Sequence, residues 1–226
     1  MLFLALLLAL RLVPQTPDVS LKQPQIAVSE QNLALAYGAG NSVFFARYEN
    51  GGKSFSTPVK VADATKLALG NHRGPRIVFA GKAIVISAIN FGEGDLISWR
   101  STDGGKTWSQ GVRINDVPTS AREGLHGMAA SPDGTVWTVW LDLRQKGTRL
   151  FGSLSNDGGR TWARNQPIYA SPDGNICECC HPTAYIGPKG ELYAMWRNWL
   201  SGSRDMHYAV SADRKTWKVQ KLGSGT

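Results

Sequence analysis

The stretch Ser101-Thr102-Asp103-Gly104-Gly105-Lys106-Thr107-Trp108 recurs almost unchanged as Ser155-Asn156-Asp157-Gly158-Gly159-Arg160-Thr161-Trp162. A more divergent copy precedes them, Tyr48-Glu49-Asn50-Gly51-Gly52-Lys53-Ser54-Phe55, and a shortened copy follows them, Ser211-Ala212-Asp213-Arg214-Lys215-Thr216-Trp217. The aromatic ends of these octets lie at 55, 108, 162 and 217, so the period is 53 to 55 residues. Four octets in near-constant phase predict a repeat architecture.

The composition of the octet is that of a tight turn between two strands. An aspartate carboxylate accepts hydrogen bonds from backbone N–H groups a few residues downstream, and glycines supply positive-φ conformations. The threonine hydroxyl adds a local bond, and we expect the tryptophan to pack against neighbouring sheet. We therefore interpret the octet as structural and do not count its aspartates among the candidate acids.

Between the octets, each period reads as short strands separated by turns. In the third period, Gly127–Ser131, Thr135–Trp140 and Leu150–Ser155 precede the octet, and a strand around Pro167–Ala170 follows it. Strands of this length without helical periodicity predict an all-β radial repeat. We expect one β-propeller domain over 21–226, with about four four-stranded blades at about 24–63, 72–116, 124–171 and 178–222.

The octet with this period resembles the Asp-box of the sialidase-like (neuraminidase) superfamily of BNR-repeat proteins. The resemblance implies a propeller of sialidase type with six or seven blades. Propeller blades protect their edges by closing into a ring, so we expect the four blades to belong to a six-bladed propeller of which roughly two blades are not included. A closed ring of four blades is the alternative.

The N-terminal segment and the net charge bear on the cellular setting and the partners. Met1–Val13 is apolar apart from Arg11 and is shorter than the ~20 residues that span a bilayer. Residues 1–20 fit a secretory signal and predict a secreted or periplasmic location, with an incorrectly assigned start codon as the alternative. The formal net charge of +8 is compatible with an acidic glycan partner. Without a basic run or a base-stacking motif we expect no nucleic-acid partner, and we expect no cofactor.

All three cysteines lie in the stretch Asn175-Ile176-Cys177-Glu178-Cys179-Cys180-His181. In an exported protein one pair could form a disulfide, and the strain of pairing adjacent cysteines favours Cys177 with Cys180. Cys177, Cys179, Cys180 and His181 also match a soft-metal ligand set for zinc or copper. Both interpretations stay open at the level of sequence.

In a propeller, the loops leading into the first strand of each blade share one face with the loops between the second and third strands. We call this the upper face; the octets lie on the opposite, lower face. Arginines and carboxylates from three consecutive blades are predicted to converge on the upper face, with simple salt bridges between solvated loops as the alternative. These candidates are His72, Arg73, Arg76, Asn90, Glu93 and Asp95; then Arg122, Glu123, His126, Asp142, Arg144 and Arg149; then Cys177 through His181, Arg197, Asn198, Arg204 and Asp205.

The sialidase resemblance implies roles for some of these residues. His72-Arg73-Gly74-Pro75-Arg76-Ile77 is similar to the family's Arg-x-Pro motif, which implies that Arg73 binds the substrate carboxylate. Asp95 is similar in place to the family's acid/base aspartate, and Arg197 resembles its second arginine. The chemistry is reasonable, because a guanidinium binds a sugar carboxylate bidentately and a buried carboxyl group can protonate a leaving oxygen.

The departures from that family are equally specific. Where the family places the glutamate that assists a tyrosine nucleophile, this sequence has His181, with Glu178 three residues earlier, and we assign both to catalysis. The tyrosine and the third arginine are expected in later blades. Further substrate-binding residues are predicted to be Arg76, Arg122, Asp142, Arg144 and Arg204.

The leading hypothesis is an exported, sialidase-like glycoside hydrolase acting on an acidic glycan or sialoglycoconjugate. A non-catalytic propeller that binds a glycan or a protein is the alternative. A metal or redox site at the cysteines is a third hypothesis.

Overall fold

The protein is all-β over residues 19–30, 32–49, 54–172 and 175–223, which the computed structural model describes. Seventeen antiparallel strands in these ranges form four sheets, which confirms the predicted fold class. Most of the predicted export segment, 1–18, and residues 50–53 of the first octet lie outside the described residues. Within the described ranges, no helix is long and apolar enough to cross a membrane.

Each sheet is one blade, and its strands run from the propeller axis outward in chain order. Blade 1 contains β1 (Leu21–Ser29), β2 (Asn32–Ala39), β3 (Ser42–Glu49), β4 (Ser54–Phe55) and β5 (Val59–Asp63). Blade 2 contains β6 (Arg76–Ala80), β7 (Ala83–Asn90), β8 (Asp95–Ser101) and β9 (Val112–Arg113). Blade 3 contains β10 (His126–Ala130), β11 (Val136–Asp142), β12 (Arg149–Ser155) and β13 (Gln166–Ala170). Blade 4 contains β14 (Thr183–Ile186), β15 (Leu192–Leu200), β16 (Ser203–Ser211) and β17 (Lys218–Lys221).

Blade 1 departs from the four-stranded prediction. Both β4 and β5 pair with β3, so the first sheet has five strands. The extra strand is only two residues long, Ser54–Phe55, and it closes the end of the first, divergent octet. The other three blades are four-stranded meanders, as expected from the sequence.

The blades follow one another around an axis. The innermost strands β1, β6, β10 and β14 lie side by side in that order, and no sheet pairing among the described residues joins blade 4 to blade 1. Strands β7 and β11 are buried at every position, because each is covered by a blade on both faces. Strand β15 alternates between buried and less buried positions, since its second face is uncovered there, and Trp199 is 44% exposed.

The octets of blades 2 and 4 each pack against the preceding blade. In blade 2, Gly105 sits against the ring of Phe45 in blade 1, where a Cβ would lie only 2.1 Å from a ring carbon. Trp108 meets the same ring edge-on at 5.3 Å. In blade 4, Trp217 stacks on Trp137 of blade 3 at 5.4 Å. The octet is thus a structural turn, and its aromatic end contributes to the core between blades.

The octet aspartate is held as an acceptor. Asp157 Oδ1 accepts hydrogen bonds from the backbone N–H of Thr161 at 2.9 Å and of Arg160 at 3.0 Å, and Oδ2 accepts the Thr161 hydroxyl at 2.6 Å. Burial acts to raise the pKa of Asp157, but the bonds from Thr161 and from its other donors outweigh it and lower the pKa to about 2. Asp103 makes the same set of bonds in blade 2.

Replacing Asp157 with alanine is expected to lower the free energy of unfolding by about 1 to 2 kcal/mol, because several turn donors lose their acceptor at a solvent-exposed site. Urea denaturation of the full-length protein measures the change. Asn156→Ala is the matched control, since the Asn156 side chain is exposed and bonds none of the described residues. Equal stability of the two variants would contradict a stabilising role for the octet.

Candidate functional site

The predicted upper face is a continuous surface of loops. The loop after β7 bonds the loop leading into β6 through Phe91 N–H to Lys66 O at 2.6 Å. It also accepts, at Gly94 O, the N–H of Ala121 from the loop leading into β10, at 2.8 Å. The loop leading into β14 bonds the loop between β11 and β12 through Ile176 N–H to Thr148 O at 3.1 Å. Backbone hydrogen bonds therefore connect the upper-face loops of neighbouring blades.

Arg76 lies at the axis and is almost fully buried. Its Nη2 donates to His72 O at 2.8 Å and its Nη1 to Pro75 O at 3.0 Å, so the guanidinium fixes the loop that precedes it. Its Nε donates to His181 Nε2 at 3.1 Å, which links blade 2 to blade 4 across the axis. Burial lowers the pKa of Arg76 to about 10. The guanidinium is largely occupied by the protein's own atoms, and its clearest role is to position His181.

A small cavity of about 190 Å³ opens at the axis above this pair. Its lining consists of polar side chains from blades 1, 2 and 4: Gln23, Gln25, His72, Arg76 and His181.

His181 and His126 are both held in the neutral form. Burial, and then the charge of Arg76, lowers the pKa of His181 to about 4, while the His126 backbone opposes the shift. His126 is 1% exposed, and its Nε2 lies 2.9 Å from Ser87 Oγ. Burial and the neighbouring Arg76 keep the pKa of His126 well below its usual value. His126 Nδ1 has no hydrogen-bond partner among the described residues.

The free energy of unfolding is expected to fall as the pH drops below 6.5, the ordinary pKa of histidine. The unfolded chain then binds a proton at His126, whereas the folded protein keeps this residue neutral. The contribution of His126 to the free energy of unfolding is therefore complete above pH 6.5. Below this pH it decreases with a slope approaching ~1.4 kcal/mol per pH unit. Urea titrations between about pH 7 and 5 measure this slope. In a His126→Gln variant this slope should be smaller. An unchanged slope would contradict the assignment of the pH dependence to His126.

Arg73, Arg122 and Glu178 all act electrostatically on the carboxyl group of Glu123, and we call these four residues the charged cluster. Arg73 Nε donates to Glu123 O at 2.8 Å, and both Nη groups of Arg73 bond none of the described residues. The Glu123 side chain is half-buried. Burial, and then the negative charge of Glu178, raises the pKa of Glu123, while Arg73 and Arg122 act in the opposite direction. The cluster thus combines an arginine with a free fork and a carboxyl group that holds its proton to a higher pH than usual.

Asp95 is tied into the structure at the start of β8. Its Oδ1 accepts Asn115 Nδ2 at 2.6 Å and the Thr119 N–H at 2.7 Å, and its Oδ2 lies 3.8 Å from Arg113 Nη1. These bonds hold the loop leading into β10. Catalysis by Asp95 as an acid stays a prediction.

Asp142 and Arg144 bond each other, so their charged groups are not directed into an open site. Arg144 Nε donates to Asp142 Oδ1 at 2.8 Å, and its Nη1 donates to Asp116 Oδ1 at 2.8 Å. Its guanidinium also lies 4.1 Å from the centre of the Phe151 ring. This network ties blade 3 to the loop after β9, so the pair is separate from the charged cluster.

Arg197 and Arg204 are exposed at the far end of β15 and the start of β16. They are close to the cysteines, because Cys177 N–H donates to Arg197 O at 3.1 Å and Arg204 acts electrostatically on Cys179. Cys177, Cys179 and Cys180 are free thiols. Their sulfur atoms form one group within 4.8 Å, whereas His181 is directed at Arg76 instead of joining that group.

Backbone strain is concentrated on the upper face. Gln23, Asn71, His72 and Thr119 have φ between 50° and 65°, which is uncommon for residues other than glycine. Gly74 packs so closely on Gln23 that a Cβ would lie 2.4 Å from the Gln23 Cβ. Strained residues persist where the surrounding structure holds them, and they cluster at functional sites.

Sequence reasoning placed Glu123 on this face but gave it no catalytic role. The sequence feature that could have indicated a catalytic role for Glu123 is the adjacent pair Arg122-Glu123 just before β10. What could not be seen from the sequence is that Arg73 and Glu178, 50 residues before and 55 residues after it, approach the same carboxyl group.

Four blades with octet turns on the lower face and charged loops on the upper face define a β-propeller of the sialidase type. The fold is similar to that of a Hadza microbial sialidase at 14% identity and a TM-score of 0.58, covering 89% of this chain and 46% of that one. It is similar to the NanB sialidase of Streptococcus pneumoniae at 14% identity and 0.54, covering 82% and 29%. An α-L-arabinofuranosidase from Podospora anserina matches at 10% identity and 0.53, covering 92% and 70%.

The chain therefore spans about half the length of the first of these sialidases. A family model described as the BNR repeat-like domain matches residues 39–223, so the chain belongs to the BNR repeat-like family. No curated protein sequence matches it significantly. The resemblance inferred from the octets is confirmed by these comparisons.

Proposed function

We propose that the charged cluster binds the carboxylate of an acidic glycan and that the full-length protein is a sialidase-like glycoside hydrolase. The observation that carries this proposal is that the backbone carbonyl of Glu123 holds Arg73, whose Nη groups bond none of the described residues, within electrostatic range of the half-buried Glu123 carboxyl group.

Arg73 supplies recognition. A guanidinium held by one N–H keeps its orientation, and its two Nη groups can then donate in parallel to the two oxygens of a sugar carboxylate. Arg122 is exposed on the same loop as Glu123 and adds positive charge near the bound anion. A lysine would match the carboxylate less well, since it lacks the planar fork.

Glu123 supplies the proton. Because its pKa is raised, the carboxyl group is protonated over a wider pH range and can protonate the glycosidic oxygen as the bond to the anomeric carbon breaks. Glu178 is the second carboxylate at the rim, and glycoside hydrolysis ordinarily uses such a pair. We expect a nucleophile and a further arginine in additional blades, which would also cover the exposed face of blade 4.

The test is hydrolysis by the full-length protein of a fluorogenic α-sialoside and a fluorogenic β-glucuronide, with the matching neutral β-glucoside as the control. We expect turnover of at least one acidic substrate and none of the glucoside. Equal turnover of the glucoside would contradict carboxylate recognition. Absence of turnover on the acidic substrates would contradict the hydrolase.

A non-catalytic, glycan-binding propeller is the second candidate, and a specific observation favours it. Asp95 and Arg76 correspond to predicted site residues, yet their charged groups are engaged by the protein's own atoms. On this alternative, acidic glycans bind the full-length protein with Arg73 dependence but are released unchanged.

A further inference from the structure

The three cysteines form a compact group of sulfur atoms at the edge of the upper face. Cys179 Sγ lies 3.5 Å from Cys177 Sγ and 3.9 Å from Cys180 Sγ. Cys177 Sγ and Cys180 Sγ are 2.6 Å apart. Among the described residues, this is the one group of three or more potential metal ligands whose donor atoms all lie within 4.8 Å of one another.

Backbone hydrogen bonds of the loop leading into β14 hold these thiols close together. Ile176 bridges to Asn198 in blade 4, and its N–H donates to Thr148 O in blade 3. Cys180 N–H donates to Cys177 O at 3.1 Å, which closes a turn and places both side chains on one side. Cys177 is 4% exposed, so one thiol is anchored in the protein while Cys179 is open to solvent.

The spacing fits a thiolate metal site better than three unrelated thiols. Bonds of about 2.3 Å from a tetrahedral metal to sulfur put the sulfur atoms about 3.8 Å apart. The two distances that involve Cys179, 3.5 and 3.9 Å, already agree with this value. Only the Cys177–Cys180 separation has to increase, by about 1 Å.

The donor set selects the kind of ion. Thiolates without hard oxygen ligands favour soft cations with filled d shells, Cu(I) and Zn(II), over magnesium or calcium. His181 follows Cys180 directly, but its Nε2 accepts a bond from Arg76, so the ligand set consists of three sulfur atoms. Arg204 lies within electrostatic range of Cys179 and offsets part of the negative charge of the thiolates.

We propose that Cys177, Cys179 and Cys180 together bind one soft metal ion, Cu(I) or Zn(II), at the rim of the propeller. The evidence for this site does not rest on the proposed hydrolase chemistry, although the cysteines flank Glu178. It competes with oxidation of the close pair, in which Cys177 and Cys180 lose two protons and two electrons to an external oxidant and form a disulfide. Cys179 separates the two outcomes, because the metal site needs it and the disulfide does not.

The experiment titrates the reduced full-length protein, without oxygen, with Cu(I) and in a separate arm with Zn(II), each against a chromophoric chelator. The variants are Cys179→Ser, which changes an exposed side chain, and Glu93→Gln, which changes an exposed carboxylate in the loop after β7. We expect one equivalent of at least one ion, bound equally by the wild type and Glu93→Gln. Loss of an outer-shell partner costs about 10- to 100-fold in metal affinity, so loss of the Cys179 ligand should cost more than roughly 100-fold.

Thiol titration provides a second readout. Without metal, the exposed Cys179 and the partly exposed Cys180 should react with a thiol reagent, and both should be protected when the ion is bound. Binding of one ion and not the other identifies the metal. The proposal is overturned if neither ion binds in a one-to-one ratio. It is equally overturned if Cys179→Ser keeps wild-type affinity, since the thiols would then act only as a Cys177–Cys180 pair.

Discussion

Arg73→Ala is expected to weaken binding of an acidic monosaccharide by roughly tenfold to a hundredfold, since hydrogen bonds to a charged group contribute about 1.5 to 3 kcal/mol. The two Nη groups of Arg73 are free among the described residues, and the Nε bond to Glu123 O holds the guanidinium in place. Isothermal titration of the full-length protein with sialic acid and with glucuronic acid measures the loss.

Two further variants make this result specific to Arg73. Arg160→Ala removes the same charge from an exposed position in an octet on the lower face, and it should bind as the wild type does. Arg73→Lys keeps the charge but loses the planar fork, so its affinity should be intermediate. If Arg73→Ala and Arg160→Ala lose affinity equally, the effect is one of net charge and the proposed site is wrong.

Glu123→Gln is expected to reduce kcat for glycosides with poor leaving groups by roughly 10²- to 10⁴-fold, the usual contribution of general acid catalysis. The amide has a similar shape, but its N–H protons are not acidic enough to be transferred to the glycosidic oxygen. Substrates with an activated phenolate leaving group should lose much less, because their leaving oxygen needs little protonation. This difference between leaving groups is a result that a purely structural role of Glu123 would not produce.

Glu93→Gln is the matched control for this substitution. Glu93 is exposed in the loop after β7 on the same face, and this substitution likewise changes a carboxylate to an amide. The kcat of Glu93→Gln should stay close to that of the wild type for both kinds of substrate. Equal losses for Glu93→Gln and Glu123→Gln, or an equal loss on both kinds of leaving group, would remove Glu123 from the role of acid.

The fold could be predicted from sequence because the octet carries its own structure. The bonds to Asp103 and Asp157 come from residues three and four positions downstream, so the turn is fully encoded in a short stretch. Repetition then fixed the phase of the strands and the face on which each loop lies. The two-residue strand Ser54–Phe55 was missed, because the first octet is the most divergent copy.

The site was harder to predict because its bonds join residues far apart in the chain. Arg76 and Arg73 are three residues apart in one motif, yet Arg76 bonds its own loop and His181, whereas Arg73 reaches into blade 3. Asp142 and Arg144 also looked like surface candidates. Their environment depends on Asp116, and no local pattern in the sequence indicates that contact.

Recognition of a sugar carboxylate is the function that we propose for the upper face. The most direct measurement is calorimetric titration of the full-length protein with the α-methyl glycoside of sialic acid and, in parallel, with the methyl ester of the same glycoside. We expect the acid to bind and the ester to bind at least roughly tenfold more weakly, because the ester cannot accept a charge-assisted bidentate pair from Arg73. Equal affinity for acid and ester would contradict it.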